Sequence, residues 1–536
     1  MTTADICWTR VRIHGRLECK APLHIGDGGQ GAFDERHYRP DQSKEIPGLY
    51  NSVCRDAKGR PYIPGSTLRG WLAARLQRPG SREPADSTLA EMARHLFGEA
   101  ASETGHAGRL RCYDARFRSD PSDTKLPLWD KERHTQVQHA VKLHPRLGTV
   151  DGRTLHRQEA VPAGTEFDWL IEAHDCTESQ LALLIGLLES LDGEAGSSLG
   201  RGVSRQAGRL RWHGDRIEVL EPEAVANWLN QPGKPLQDAF STLPQWPDSA
   251  ALPERQETSV RFRLIPQGLL LVNEPGLCAP TDKSLAAQTD ADELARTGAP
   301  NLEFSRTPAG HALIPASSLR GLLRACARRI VATIAAGQLA ADSASLEQRQ
   351  ILENHIDTTA DHLTGALFGM TARRSRIWMT EAISIEPAPI LEQTFVAIDR
   401  FTGGGQPHKL YKVRAAESGP LEGSLLLDPR NGPLAMWETG LLLLLARDAL
   451  EGELMLGWGK ARGYGACEVE FILEDTPHVQ DFDGLLAALQ MHRNKADECI
   501  CALHDLVSDC LPVERVVHEA ANTSVPTTAA AEVRHA

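Results

Sequence analysis

An internal duplication restricts the fold of this chain more than any other feature of its sequence. Five motifs from the first half return in the same order in the second half: residues 63–72 as 314–323, 96–98 as 367–369, 109–115 as 376–382, Glu159, Pro162 and Gly164 as Glu417, Pro420 and Gly423, and 199–208 as 456–465. The offsets lie in a band of roughly 250 to 270 residues, which is too long for a solenoid repeat and suits a duplicated domain. The sequence therefore predicts two related copies of one domain.

Each copy predicts the same order of elements, β-α-β-β-α-β. In the first copy, residues 11–19 alternate apolar and polar side chains as a half-buried strand does, and a strongly apolar helix is predicted over 179–191. Further strands are expected at 110–117, 166–172 and 208–212, and a helix begins after Pro64, with Ser66 or Thr67 as its cap. The predicted fold class is α+β, with two tandem ferredoxin-like (RRM-like) domains.

The domain limits follow from the duplication and from local composition. We predict a first domain over 1–215, a connector over 216–258, a second domain over 259–475, a helical extension over 476–518 and a disordered tail over 519–536. Within each copy, a long irregular segment follows the first strand, at 26–60 and at 275–312. These two segments are the predicted insertions of the domains.

Charge and hydropathy exclude several classes of protein. Lys and Arg total 58 against 71 Asp and Glu, a net charge of −13, so an anion site must be local. No apolar run reaches the roughly 18 residues of a membrane span, and the N-terminus does not resemble a secretory signal, so we expect a cytoplasmic protein. The 11 cysteines are expected as free thiols. Among them, Cys499, Cys501 and Cys510, with His504, fit buried thiols better than a zinc site, so no metal site is predicted.

Two motifs in each copy indicate anion binding. At the start of the first helix, backbone N–H groups, a hydroxyl and one arginine come together in Ser66 and Arg69, and again in Ser318 and Arg320. A glycine loop before the last strand carries Arg201 and Arg205 in one copy and Lys460 and Arg462 in the other. Simple N-capping and a tight turn are the alternatives for a motif taken singly. The two motifs together favour a phosphate ligand.

These motifs, together with residues 395–404, resemble the RAMP superfamily of CRISPR-associated proteins, and more narrowly the backbone subunits of type III effector complexes. The resemblance covers about residues 10 to 212 and 259 to 472, twice in family order. It implies a fused pair of subunits that bind CRISPR guide RNA, with inserted thumbs that kink the guide and its complementary target RNA. It also implies other effector subunits as partners, and an RNA-contacting palm loop that includes Asp399 and Arg400.

The resemblance further implies that such subunits can cut target RNA with an aspartate in the irregular segment. Where that aspartate often stands, this chain has Tyr50-Asn51 and Pro300-Asn301. The remaining acidic candidates are Asp27, Asp34 and Asp41 in the first segment and Asp282, Asp290 and Asp292 in the second. We expect Asp34 and Asp292 to be catalytic, with Mg²⁺ or another divalent cation as the cofactor.

Three functions remain open from the sequence: a guide-binding subunit that also cuts target RNA, an inert RNA scaffold, and an endoribonuclease that matures guide RNA with histidines as acid and base. No histidine recurs at equivalent places in both copies, which weakens the third. His24 is expected either to contact the guide backbone or to end the first strand. The aromatic content of 5% argues against recognition by base stacking.

Overall fold

The computed structural model describes residues 7–511, apart from 33–48, 77–86, 100–104, 122–128, 193–197, 253–258, 275–299, 339–345, 429–431, 474–475 and single residues at 147, 153, 155, 232 and 308. It is a mixed α/β structure with several sheets, which confirms that part of the predicted fold class. No helix in the described ranges is long and apolar enough to cross a membrane.

The strands of the first half are β1 Trp8–Cys19, β2 Gly26–Ala32, β3 Leu49–Val53, β4 Tyr62–Ile63, β5 Gly98–Glu99, β6 His106–Ala107, β7 Leu110–Cys112, β8 Ala115–Ser119, β9 Trp129–Asp130, β10 Thr135–Ala140, β11 His156–Ala160, β12 Glu166–Cys176, β13 Leu210–Leu220 and β14 Ser241–Thr242. Those of the second half are β15 Ser259–Pro266, β16 Leu302–Glu303, β17 His311–Ile314, β18 Ile377–Met379, β19 Ala382–Pro387, β20 Ile390–Ile398, β21 Gly405–Ala416, β22 Leu421–Leu427, β23 Cys467–Leu473 and β24 Thr476–Val479. The helices are α1 Gly65–Arg75, α2 Ser87–Phe97, α3 Glu178–Glu189, α4 Pro222–Leu229, α5 Ala316–Gln338, α6 Leu346–Phe368, α7 Met436–Leu450, α8 Phe482–Ala488 and α9 Arg493–Cys510.

Two compact units divide the chain. The first consists of Met1–Leu319, Ile377–Pro433 and Met455–Glu468, and the second of Arg320–Arg376, Leu434–Leu454 and Val469–Ala536. The first unit contains the whole first copy and most strands of the second copy, whereas the second unit contains helices of the second copy and the C-terminal helices. The limits predicted from the duplication stay a prediction.

The main sheet of the first copy is built around β1. Its alternating sequence buries Val11, Ile13 and Leu17 on one face, as predicted, and places Arg12 and Arg16 on the other. β1 pairs antiparallel with β12 and β13, and the sheet has the order β14-β13-β1-β12-β8-β4, with β7 also on β12. On the polar face, Arg12 and Arg16 reach across to glutamates of β12. The sheet therefore has one apolar and one charged face.

Helices α1 and α3 cover the apolar face. Leu68 and Leu72 of α1 and Leu181, Leu184 and Leu188 of α3 are fully buried in one core with the sheet. Each such side chain contributes on the order of 2 kcal/mol by burial. Helix α3 begins at a capping box, in which Thr177 and Gln180 satisfy each other's backbone N–H groups. This core fixes the ends of β1 and β12, from which the candidate site extends.

The second copy repeats part of this arrangement within the first unit. There β15 pairs antiparallel with β22, and β18 and β19 also pair with β22. The second unit has its own core, in which Gly440 of α7 lies against the backbone of Cys499 of α9. A buried ion pair between Arg376 and Glu438 (2.8 Å) stabilises the same unit.

Several sequence predictions were wrong in detail. The segment 26–60 is not irregular throughout, because β2 and β3 join a five-stranded sheet of order β2-β3-β11-β10-β9. Of residues 395–404, only 399–404 form a loop, which is the turn of the long antiparallel hairpin of β20 and β21, and its contact with RNA stays a prediction. The strand predicted at 110–117 is interrupted at residues 113–114, where Asp114 turns toward α1. These pairings join segments that are distant in the sequence, which local patterns do not reveal.

The predicted pairing of Glu159 with Glu417 was also wrong in register. Leu23 bridges to Val161 in the first copy, and Leu270 bridges to Ala416 in the second. Counting back from these bridges places Arg414 at the position of Glu159. The two copies therefore have the same backbone arrangement at this point, but the first has a negative side chain where the second has a positive one.

One contact between the two copies is a small apolar cluster inside the first unit. Val203, in the glycine loop of the first copy, packs against Trp378 of β18 and Leu426 of β22. Trp378 is 1% exposed. The loop of the first copy is thus partly covered by strands of the second.

Candidate nucleic-acid interface

The arginines of the two helix starts have the same structural partner. Arg69 donates to the carbonyl oxygen of Phe97, and Arg320 donates to that of Phe368. Phe97 and Phe368 are the last residues of α2 and α6, where carbonyl oxygens lack partners within the helix. The Leu-Arg-Gly and Leu-Phe-Gly motifs recur together because one binds the other. An RNA contact by either arginine stays a prediction.

The predicted cap of α1 was wrong. The helix begins at Gly65 with Pro64 as its N-cap, and neither Ser66 nor Thr67 caps it, because the carboxylate of Asp114 accepts the Gly65 N–H at 2.8 Å. A carboxylate at a helix N-terminus is favoured by the helix dipole. In the second copy α5 begins at Ala316, and Ser318 donates its N–H to the Pro315 carbonyl at 2.9 Å. Phosphate binding at Ser66 and Ser318 stays a prediction.

The glycine loops of the two copies have the same backbone. Arg201 N–H donates to the His24 carbonyl (2.9 Å), and Trp458 N–H donates to the Leu271 carbonyl (2.8 Å). The glycine before each donor has a positive φ, +82° at Gly200 and +72° at Gly457. A Cβ at Gly200 would lie 2.2 Å from the His24 oxygen, so this close approach requires glycine. The glycines therefore fasten each loop to the segment that follows the first strand.

The cations predicted in these loops all lie in or beside a short 3-10 turn. Arg205 ends the turn of the first copy, and Lys460 and Arg462 begin and end that of the second. Arg201 is exposed and Arg205 half-buried, and burial together with the charge of Arg201 lowers the pKa of Arg205. Within the described residues no carboxylate pairs with Arg201 or Arg205. Two neighbouring guanidinium groups without a counter-ion make a site that favours an anion.

His24 lies beyond the first strand, which ends at Cys19, so it does not end that strand. It is 4% exposed, and its Nδ1 lies 2.6 Å from the carbonyl oxygen of Glu159. Since a carbonyl only accepts, Nδ1 carries the proton and Nε2 is the acceptor in the neutral ring. Burial, reinforced by the charge of Arg201, lowers the pKa of His24. The neutral imidazole is therefore a hydrogen-bond acceptor, and its counterpart in the second copy is Leu271.

A cavity of about 450 Å³ adjoins His24 and Arg201. Its wall consists largely of backbone and small side chains, among them Gly26, Gly28, Gly200, Asn51 and Ser52. Beside it, the exposed Asp27 accepts hydrogen bonds from Ser52 Oγ and Gly29 N–H, both at 2.7 Å. These bonds lower the pKa of Asp27 and keep it ionised. The cavity thus has a cation and a hydrogen-bond acceptor in its wall, and a carboxylate bonded to its lining residues Ser52 and Gly29.

A buried carboxylate supports this cavity from behind. Glu159 Oε2 accepts the Val53 N–H at 3.0 Å, and its Oε1 accepts from Thr135 (2.7 Å), Arg133 (3.1 Å) and Arg55. Burial alone would raise the pKa of Glu159, but these hydrogen bonds and the charge of Arg55 lower it. Glu159 therefore joins β11 to β3 and fixes the carbonyl that orients His24.

The predicted catalytic aspartates Asp34 and Asp292 lie outside the described residues, as do Asp41, Asp282 and Asp290. In the described residues no group of three or more His, Cys, Asp or Glu could hold a metal ion. Of the C-terminal cysteines, Cys499 is buried as predicted, whereas Cys501 is exposed. Asp399 accepts the N–H groups of Phe401 and Thr402 (both 2.9 Å) at the hairpin turn, where Arg400 is exposed.

The family model of the RAMP superfamily matches residues 16–211 and 289–468, which together make up more than half of this chain. The chain belongs to the RAMP superfamily. The two matches follow one another, so the chain is a tandem fusion of RAMP regions, as its sequence predicted. Each matched region includes one glycine loop and the Leu-Arg-Gly helix start.

Two relatives are named CRISPR system Cms endoribonuclease Csm3. The protein from Enterococcus italicus is 25% identical over 228 residues, which are 40% of this chain and 94% of the relative. The protein from Methanocaldococcus jannaschii is 24% identical over 228 residues, 40% of this chain and 82% of the relative. The similar stretch therefore has the size of one copy and not of the pair.

Some features of the site had a weak signal in the sequence. Glu159 lies in β11, next to Ala160, and nothing local in the sequence shows that it is buried or that it pairs with Arg55 and Arg133. The role of Asp114 had a usable signal, because an acidic residue recurs at this motif position as Glu381. Asp27 stands in a glycine-rich run, which indicated a turn and left its partner Ser52 unidentified.

Proposed function

We propose that this chain is a CRISPR type III effector backbone subunit, a fused pair of RAMP units that binds guide RNA, positions complementary target RNA and cuts it. One observation carries the proposal: Arg201 and Arg205 lie together in a glycine loop beside a cavity, with no carboxylate partner in the described residues. The second copy has Lys460 and Arg462 in the same loop. Membership of the RAMP superfamily and the names of the two relatives support an RNA ligand.

The proposed fold of each RAMP region is ferredoxin-like. In the first copy, β1 lies between β13 and β12, and β7 and β8 pair with the other edge of β12. This order, with both helices on one face, is the one expected when a split βαβ unit is written β-α-β-β-α-β. It supports a common frame in which the loops of the two copies have corresponding positions.

Guide RNA would be bound mainly through its phosphates. The glycines let the backbone approach a phosphodiester closely, and exposed cations of the loops supply the charge that the total of −13 does not. Arg400, at the turn of the β20–β21 hairpin, is a further exposed cation. The polar face of the main sheet is a poorer alternative surface, since Arg12 and Arg16 at its centre are already paired with glutamates.

Cleavage is proposed in each copy, with Asp34 as the catalytic carboxylate of the first and Asp292 as its counterpart in the second, and with Mg²⁺ or another divalent cation as cofactor. Mg²⁺ is commonly bound by one or two carboxylates together with water and phosphate oxygens, so Asp27 and an RNA phosphate could complete the ligand set. The cation would stabilise charge on the phosphate. His24 Nε2 is placed to accept a hydrogen bond from a ribose hydroxyl.

The proposal is tested by the salt dependence of RNA binding. We expect the R201A/R205A double variant to weaken binding similarly for all guide sequences and to reduce the slope of log K against log salt by about one per lost contact. Arg216→Ala is the matched control, because it removes an exposed cation that is already paired with Glu218 on the sheet. Equal affinity and slope for the double variant and the wild type would contradict the proposal.

A further inference from the structure

The glycine loop of the second copy has an arginine at the centre of an aromatic cluster. The Arg462 guanidinium carbon lies 4.9 Å from the ring centroid of Trp458, 5.3 Å from that of Phe395 and 5.9 Å from that of Tyr411. Phe395 and Tyr411 are cross-strand neighbours on β20 and β21 and stack with their centroids 5.4 Å apart. At these distances each ring attracts the cation. The rings therefore hold the guanidinium in one place.

This arginine remains open to solvent although three rings hold it. Arg462 is exposed, whereas Trp458, Phe395 and Tyr411 are half-buried. In the described residues no carboxylate pairs with Arg462 or with the neighbouring Lys460. An exposed guanidinium that rings hold in place keeps N–H donors, and part of its planar surface, for a ligand.

The first copy has the same backbone without this cluster. Arg201 stands at the position of Trp458, since each donates its N–H to the segment after the first strand. The parallel pairs Asn51–Gln158 and Leu302–Val413 align β11 with β21. This alignment places His156 at the position of Tyr411, and its partner Ala140 at that of Phe395. An aromatic cluster around the arginine of only one of two equivalent loops indicates a separate role for that loop.

We propose that Arg462 and the rings beneath it form a stacking site for one unpaired nucleobase of bound RNA. Unstacked bases are commonly received on aromatic rings and on arginine planes, and every base has such a face. The loop from 458 to 463 contains two cations and no acid, so it suits a polyanion better than an acid-bearing protein segment. Lys460 is placed for the adjacent phosphate. The inference rests on the proposed function and names a single-stranded segment as the ligand of this loop.

The experiment uses the full chain and single-stranded oligoribonucleotides that carry 2-aminopurine at one position in turn. Stacking quenches 2-aminopurine, so the wild type should quench the probe at a defined position. Arg462→Lys keeps the charge and removes the plane, and it should abolish the quenching and weaken binding about 5- to 100-fold while leaving the salt slope unchanged. The control Arg216→Lys, the same substitution at an exposed arginine that pairs with Glu218 on the sheet, should retain the quenching.

Two further variants separate stacking from folding. Trp458→Ala should reproduce the loss and Trp458→Phe should retain most of the quenching, because a phenyl ring still supports the arginine. Quenching by Arg462→Lys equal to that of the wild type would overturn the inference and leave the proposed function intact. The absence of any RNA binding by the wild type would overturn both. Unchanged RNA binding with loss of a co-purifying effector subunit would assign the cluster to a protein contact and overturn the inference.

Discussion

Replacing Glu159 by glutamine removes the buried negative charge that pairs with Arg55 and Arg133 behind the cavity. The carboxylate is 1% exposed, and it accepts hydrogen bonds from Thr135 at 2.7 Å and from the Val53 N–H at 3.0 Å. Removing one partner of a buried ion pair costs about 3 to 5 kcal/mol. The Arg133 side chain is 40% exposed, so water compensates part of that loss. We therefore expect a cost near the lower limit, about 3 kcal/mol.

Hydrogen exchange measures this cost where it arises. The Val53 amide donates directly to Glu159, so local opening of β3 exposes it. About 3 kcal/mol corresponds to exchange that is roughly a hundredfold faster in Glu159→Gln than in the wild type, compared as protection factors. Glu166→Gln is the control. The Glu166 side chain is 25% exposed and pairs with Arg16 at the surface, where an ion pair contributes less than about 1 kcal/mol to stability.

The effect of Glu159→Gln should depend on pH. Since the pKa of Glu159 is lowered in the folded protein, its ionised form stabilises the fold at every pH above the ordinary glutamate value of about 4.3. That contribution is lost as the pH falls through the lowered pKa. The difference between variant and wild type should therefore be full at pH 7 and shrink below about pH 4. Protection factors that agree within about threefold at pH 7 would refute the reasoning.

Three other outcomes are expected. Gly200→Ala should lower the melting temperature and RNA affinity, because the new Cβ would meet the His24 carbonyl at 2.2 Å and φ is +82°; an unchanged melting curve would contradict this. Arg201→Ala should raise the pKa of His24, since the positive charge of Arg201 disfavours protonation of the imidazole. The pKa is measured by NMR titration of the histidine, and an unchanged value would contradict this expectation. Asp34→Ala and Asp292→Ala should each abolish one cut in complementary RNA with target binding intact, and mapped cleavage products that persist at the wild-type rate in the double variant would contradict the assignment.

Features that depend on local pattern could be predicted from the sequence. The alternation in β1 and the apolar helix α3 are each evident within one segment, and the structure contains both. The duplication is evident because short local motifs recur in the same order. The glycine loops were recognised in the same way, because every residue with a positive φ in these two turns except Gln206 is glycine. The loop cations were therefore located correctly, whereas their part in RNA binding stays a prediction.

Features that depend on distant partners could not be predicted. Arg69 was expected to face a phosphate, and no local pattern reveals that Phe97 supplies its acceptor. The aromatic content of 5% is an average over the chain, and the cluster around Arg462 draws on two strands and a loop. Composition excludes stacking only if aromatic residues are spread evenly, and here the fold concentrates them.

The small cluster of Val203, Trp378 and Leu426 has a consequence for how the fusion of the two copies affects their contact. Free proteins that associate stably usually bury more than about 1,000 Å² between them, with many side chains on each side. A covalent connection replaces that requirement, because it holds the partners at an effective concentration that can reach the millimolar range. The connection itself keeps the copies in a fixed order and in equal number, and a weak apolar contact then suffices to hold them together. A gene fusion can in this way relax selection on an interface and leave its surface residues free to diverge, as the loop of the second copy has done with Lys460 where the first has Val203.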